Sequence, residues 1–125
     1  MFETNVDIFP VFPHVIKAHF TGVTLTFLED KMVWEKDDAR REMPYAKIRW
    51  IELKSLLGSA GINFFAFVSI SPGRKGYYGV GNEPIALEWP LYNGQERAEI
   101  IKILRTQAPQ AQYNDLALAA FRHWF

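Results

Sequence analysis

The chain has 125 residues, 49% of them hydrophobic and 15% aromatic, enough for one domain with a β-rich core and too apolar for global disorder. Fourteen Lys and Arg offset fourteen Asp and Glu, a neutral balance that excludes a general nucleic-acid binder. The absence of Cys removes disulfide scaffolds, thiolate metal sites and thiol catalysis.

The N-terminal residues lack the basic start and unbroken apolar stretch of a secretory signal. No window reaches the ~18 apolar residues of a membrane span. The expectation is a cytoplasmic chain with no integral membrane segment. Residues 1–13 read as an extended arm, because Pro10 and Pro13 disfavour a helix. Its Val6, Ile8, Phe9, Val11 and Phe12 imply that the arm packs on something. From Val23 the pattern has period two: Val23, Leu25 and Phe27 on one side, Thr24 and Thr26 on the other. A second run, Met32 to Lys36, follows the charged turn Glu29-Asp30-Lys31, and the pair reads as an antiparallel hairpin. Residues 37–41 read as a solvated loop.

Residues 44–57 fit two patterns. Ala46, Trp50, Leu53 and Leu57 lie on one helical face between Pro44 and Gly58, whereas Ile48/Trp50 and Ile51/Leu53 alternate in opposite phase. A strand with a bulge near Trp50 accounts for the phase slip and is the preferred reading. Residues 62–70 predict a central strand, with Ile62, Phe64, Ala66, Val68 and Ile70 on one face and Phe65 and Phe67 on the other. Tyr77–Val80 and Ile85–Trp89 predict a hairpin around Gly81-Asn82-Glu83-Pro84. Asn93 with Glu96 forms a capping-box pattern. It opens a helix over 94–106 whose apolar stripe is Ile100, Ile101, Ile103 and Leu104, with Pro109 as its stop. Asn114 and Asp115 cap a second, short helix.

This order of elements, together with Thr21-Gly-Val-Thr-Leu-Thr-Phe27, Met32-Val-Trp34, Met43-Pro-Tyr-Ala-Lys-Ile48 and Gln95-Glu-Arg-Ala-Glu-Ile-Ile-Lys-Ile-Leu104, resembles the bacterial pleckstrin-homology-like (PH-like) domains over residues 14–108. The resemblance implies a mainly β, α+β fold: a bent antiparallel sheet, or partly open barrel, of about seven strands. A C-terminal helix caps it, and here an extra short terminal helix follows. The domain then spans 14–109, with a helical extension at 110–125. PH domains that bind phosphoinositides gather Lys and Arg around the first hairpin loop. Here that loop is Glu29-Asp30-Lys31, so phosphoinositide binding is not expected. Arg74 and Lys75, with Arg40 and Arg41, are the candidate weak anion patch.

The residues offer little chemistry. His14, His19 and His123 share no metal-ligand spacing, and no HExxH or thiol accompanies them. Ser69, Ser71, His19 and Asp30 lack a motif that would link them as a nucleophilic triad. Gly76, Gly79 and Gly81 do not have dinucleotide-binding spacing and lie between strands. Glu35, Asp37, Asp38 and Glu52 sit in charged company, not in the apolar cleft that raises a general acid's pKa. The chain is therefore read as a non-catalytic module without cofactor or metal, acting through a protein partner, a second copy of itself or a peptide on a sheet edge. A small-ligand or enzymatic barrel is the alternative, and peripheral membrane binding a weaker one. Trp34, Trp50, Tyr77, Tyr78, Trp89 and Tyr92 divide between core and interface. The extension carries Leu116, Leu118, Phe121, Trp124 and Phe125, so it either folds back or forms a self-association surface.

Overall fold

The computed structural model describes residues 11–57, 63–73 and 83–124. Two four-stranded sheets enclose one core, and they do not close into a barrel. The first sheet is an antiparallel meander of β1 (His14–Lys17), β2 (Thr24–Phe27), β3 (Lys31–Lys36) and β4 (Ala39–Pro44). The second contains β5 (Trp50–Leu57), β6 (Asn63–Ser71), β7 (Ile85–Glu88) and the two-residue β8 (Gln112–Tyr113), in the order β7-β6-β5-β8. Helices α1 (Gly94–Gln107) and α2 (Asp115–Phe121) complete the chain. The α+β class stands, with eight strands among the described residues.

Period-two alternation builds the first sheet. Leu25, Phe27 and Met32 are fully buried on its inner face, while Thr24 and Thr26 pair with Glu35 and Val33 on its outer face. The expected loop at 37–41 shrinks to Asp37-Asp38, with Asp37 at φ 53°, a conformation that Asp tolerates. Ala39 to Pro44 instead forms β4. The charges that read as solvated are a strand pattern: Arg40 and Glu42 face outward, where Arg40 bonds Glu35 and Glu42, at 3.2 and 2.9 Å. Arg41 and Met43 occupy the inner row. The Arg41 guanidinium reaches the edge of the second sheet, donating to the carbonyls of Pro84 and Glu83 at 2.7 and 2.8 Å.

The segment at 44–57 is neither a helix nor a strand throughout. Tyr45–Lys47 makes one 3₁₀ turn, Ile48 is buried beyond it, and β5 starts only at Trp50. Ile48 thus lies in the connection before the strand that Trp50 opens, which explains the phase slip. The register irregularity of β5 lies between Leu56 and Leu57, not near Trp50. β6 is central, flanked by antiparallel β5 and β7. Val68 and Ile70 fill its core face, and Ser69 and Ser71 are buried on the opposite one. The expected partner strand at 77–80 lies outside the described residues, as do residues 1–10 of the arm; Ile85–Glu88 pairs with β6.

The capping box of α1 forms as its sequence predicts: Glu96 N–H donates to Asn93 Oδ1 and Asn93 N–H to Glu96 Oε1, both at 2.8 Å. Ile100, Ile101, Ile103 and Leu104 are buried beneath the helix. Among the described residues, no helix is long and apolar enough to cross a membrane.

Residues 112–114 are hydrogen-bonded along the edge of the second sheet, and Gln110 braces the segment that leads into β5. Gln110 Nε2 donates to the carbonyls of Tyr45 and Ile48, at 2.8 and 3.0 Å. β8 then adds a parallel strand to β5. Asn114 follows, and its side chain behaves like one more residue of that strand. Its Nδ2 donates to Leu53 O and its Oδ1 accepts from Leu53 N–H, both at 3.0 Å, while the same Oδ1 caps α2 by accepting from Ala117 N–H at 3.0 Å. Asn114→Ala should cost about 2–3 kcal/mol, combining a lost N-cap with two orphaned backbone groups. Asn114→Asp, an equally good cap, should also destabilise, because a carboxylate oxygen then faces the Leu53 carbonyl. Thermal melts of the two variants check this; a neutral Asp variant would reduce Asn114 to an ordinary cap.

Candidate functional site

The structure separates the residues that the sequence grouped as an interface. Phe121 is fully buried, its ring 5.3 Å from Trp89, 5.9 Å from Trp124 and 6.4 Å from Tyr113. Trp124 is half-buried beside it, while Leu116 and Leu118 stand exposed on α2. Phe125, Arg74 and Lys75 lie outside the described residues. Of the other two candidate anion ligands, Arg40 is held by carboxylates and Arg41 by backbone carbonyls. Lys31, the single base in the first hairpin loop, bonds Glu42 at 2.7 Å. Of the aromatic surplus, Trp89 and Tyr92 are core, and Trp34 and Trp50 are partly covered.

His14 and His19 each lie 3.5 Å from a carboxylate of α1, Glu99 and Glu96 respectively, and His14 Nε2 is buried without a hydrogen bond among the described residues. Ser71 Oγ accepts from Gly73 N–H at 3.1 Å. Among the described residues, no three His, Asp or Glu side chains are placed to hold a metal ion.

A cleft of about 100 Å³ opens instead between the two sheets. One wall is the turn from β1 to β2, with Ala18, Thr21 and Val23, backed by Trp34 and Lys36 from β3. The other is β7, with Ala86, Leu87 and Glu88, continued by Leu91 and Tyr92. Two backbone bonds set its shape: Ala18 N–H to Val23 O at 3.0 Å closes the turn, and His19 N–H to Leu91 O at 3.2 Å ties it to the second sheet. β7 is the outermost strand of its sheet among the described residues. The turn itself is strained. Gly22 takes φ 76° at no steric cost, but Phe20 adopts φ 71° with its ring fully exposed.

Two features give the cleft chemistry. The Thr21 hydroxyl is buried and has no hydrogen-bond partner, a state that costs about 1–3 kcal/mol unless a ligand satisfies it. Lys36 and Glu88, of opposite charge, line the cleft, and neither is in an ion pair among the described residues. Sequence reasoning missed the site because its walls come from residues far apart in the chain. Phe20 was the one local signal, an aromatic two residues before a turn glycine.

No protein-family model, curated protein or solved structure matches the chain, so the site is read from its own chemistry.

Tyr92, in the cleft wall, is one of three tyrosines whose hydroxyls burial pushes above their ordinary range. Glu88 and Glu96 add to the effect at Tyr92, and Asp30 at Tyr45. Burial raises Tyr113 to about 12, against an opposing pull from Arg105. Each holds its proton more tightly folded than unfolded. The resulting stability is therefore full below about pH 10 and is lost as pH rises through about 12. Melting temperature should fall across that window while tyrosinate absorbance lags behind. Ionisation of more than two of the five tyrosines near pH 10 in the folded protein would overturn this.

Proposed function

We propose that the chain is a non-catalytic interaction module of PH-like architecture, whose cleft takes up one apolar side chain from an extended segment of a protein partner. The buried, unsatisfied Thr21 hydroxyl carries this reading. It offers a hydrogen bond to a polar group carried beside an apolar one, and the half-buried Val23, Trp34 and Leu91 supply the apolar walls. A peptide has that combination at every residue. Among the described strands β7 ends its sheet, and a sheet edge recognises an extended backbone.

Size argues against a small-ligand reading of this cleft. About 100 Å³ accommodates one side chain, whereas pockets for cofactors and metabolites run to roughly 300–1,000 Å³. Charge argues against the membrane reading, because Lys31, Arg40 and Arg41 are already engaged by protein oxygens. The PH-like assignment is supported by element order: a four-stranded meander, a second sheet, then a helix burying Ile100, Ile101, Ile103 and Leu104. A bacterial, cytoplasmic setting belongs to the same proposal and accords with a cysteine-free chain.

Acetylated octapeptides with Leu, Phe, Ala or Glu at the central position test this by amide chemical-shift mapping. Leu and Phe peptides should shift the amides of Ala18, Thr21, Leu87 and Leu91 and bind at least about tenfold more tightly than the Ala peptide, since burying such a side chain is worth ~1.5–3 kcal/mol. Equal binding of all four peptides, or no shift at these amides at millimolar peptide, would reject the reading.

A further inference from the structure

We infer that the partner seated in this cleft is a second copy of the chain, and that Phe20 is the side chain it delivers. The inference rests on the cleft being a receptor for an apolar side chain, and makes the donor a turn of a second copy in place of an extended segment.

Among the residues whose side-chain burial is described, Phe20 is the one aromatic that stands fully in solvent. It is held there by a backbone conformation that is unfavourable for any residue with a side chain, φ 71°, between the two hydrogen bonds that fix the turn. A glycine would occupy the position without strain, as Gly22 does two residues on. An exposed ring presented on a constrained loop has the form of an interface anchor, the type of residue that dominates binding when it fills a pocket.

The placement of that anchor selects its partner. Phe20 adjoins Thr21, whose hydroxyl lies buried in the cleft wall, so projection and receptacle share one turn. A two-fold interface requires a patch that is its own complement, and a projection beside a matching cavity meets that condition: each Phe20 enters the other copy's cleft. The charges have the same self-complementary form. Lys36 and Glu88 flank one cleft with opposite signs and without ion-pair partners among the described residues, so a two-fold rotation sets each Lys36 against Glu88 of the second copy. A membrane surface fits less well, since this cleft brings one acid for its one base.

Sedimentation equilibrium of the full chain over a concentration series tests the assembly. A reversible dimer is expected, and Phe20→Gly should raise its dissociation constant at least about tenfold while leaving the monomer's melting temperature unchanged or higher, because the strain is relieved. Lys36→Glu and Glu88→Lys should each weaken the dimer alone, and mixing the two variants should restore it, since only the mixed pair opposes unlike charges at both contacts. A chain that stays monomeric at millimolar concentration, a dimer indifferent to Phe20→Gly, or a mixture that stays monomeric would overturn the inference. If the chain is monomeric but the octapeptides still shift the Thr21 and Leu91 amides, the self-pairing fails and the peptide-binding reading stands. If the octapeptides fail as well, both fall.

Discussion

The amide of Asn114 lying flat against the backbone of Leu53 is the contact on which the distal half of the molecule depends. A side-chain amide has the same donor and acceptor as a peptide unit, so Asn114 continues the edge of β5 without an additional strand residue. Its oxygen also starts α2. That helix places Phe121 against Trp89, whose ring is covered by the Arg97 guanidinium at 5.9 Å and whose carbonyl accepts from Arg97 Nε at 3.1 Å. Trp89 opens the short turn that ends in Leu91, and the Leu91 carbonyl holds His19 and thus the turn bearing Phe20. One amide therefore fixes the tail, the aromatic cluster and the cleft wall in sequence.

What could be read directly from the chain were the elements whose signals are local. The alternation from Val23 to Phe27 and the Asn93/Glu96 box each lie within a few residues, and each appears where its pattern requires. Asn114 was legible as a cap, but its second role was not, because nothing near residue 114 announces an edge at residue 53. β4 was hidden for a related reason. An arginine in the inward row of a strand breaks the apolar alternation unless its acceptors are known, and those of Arg41 lie 42 and 43 residues away. β8, two residues long, is too short to carry any period. The tail's large apolar residues signalled burial correctly for Phe121; the surface that covers it was beyond local reading.

The neutral balance of charge takes on a structural meaning in the same light. Arg40 and Lys31 meet Glu35 and Glu42 across neighbouring strands of the first sheet, and Arg41 spans to the second. Cations that would otherwise be available to phosphate are consumed in holding strands in register. The charges left over beside the cleft number one of each sign, which favours discrimination between partners over raw attraction.

The parallel pairing of β8 with β5 also bears on the order in which the molecule acquires its structure. Each strand of the meander from His14 to Pro44 pairs with its neighbour in the chain, and such pairings close short loops and form quickly. The Leu53–Asn114 contact closes a separation of 61 residues, a far larger loss of chain entropy before any compensating bond is made. On the ribosome, the first sheet can assemble while the outer edge of β5 still waits for its partner. That interval leaves a row of free backbone groups open to other nascent chains, and it ends only when residues 112–114 arrive.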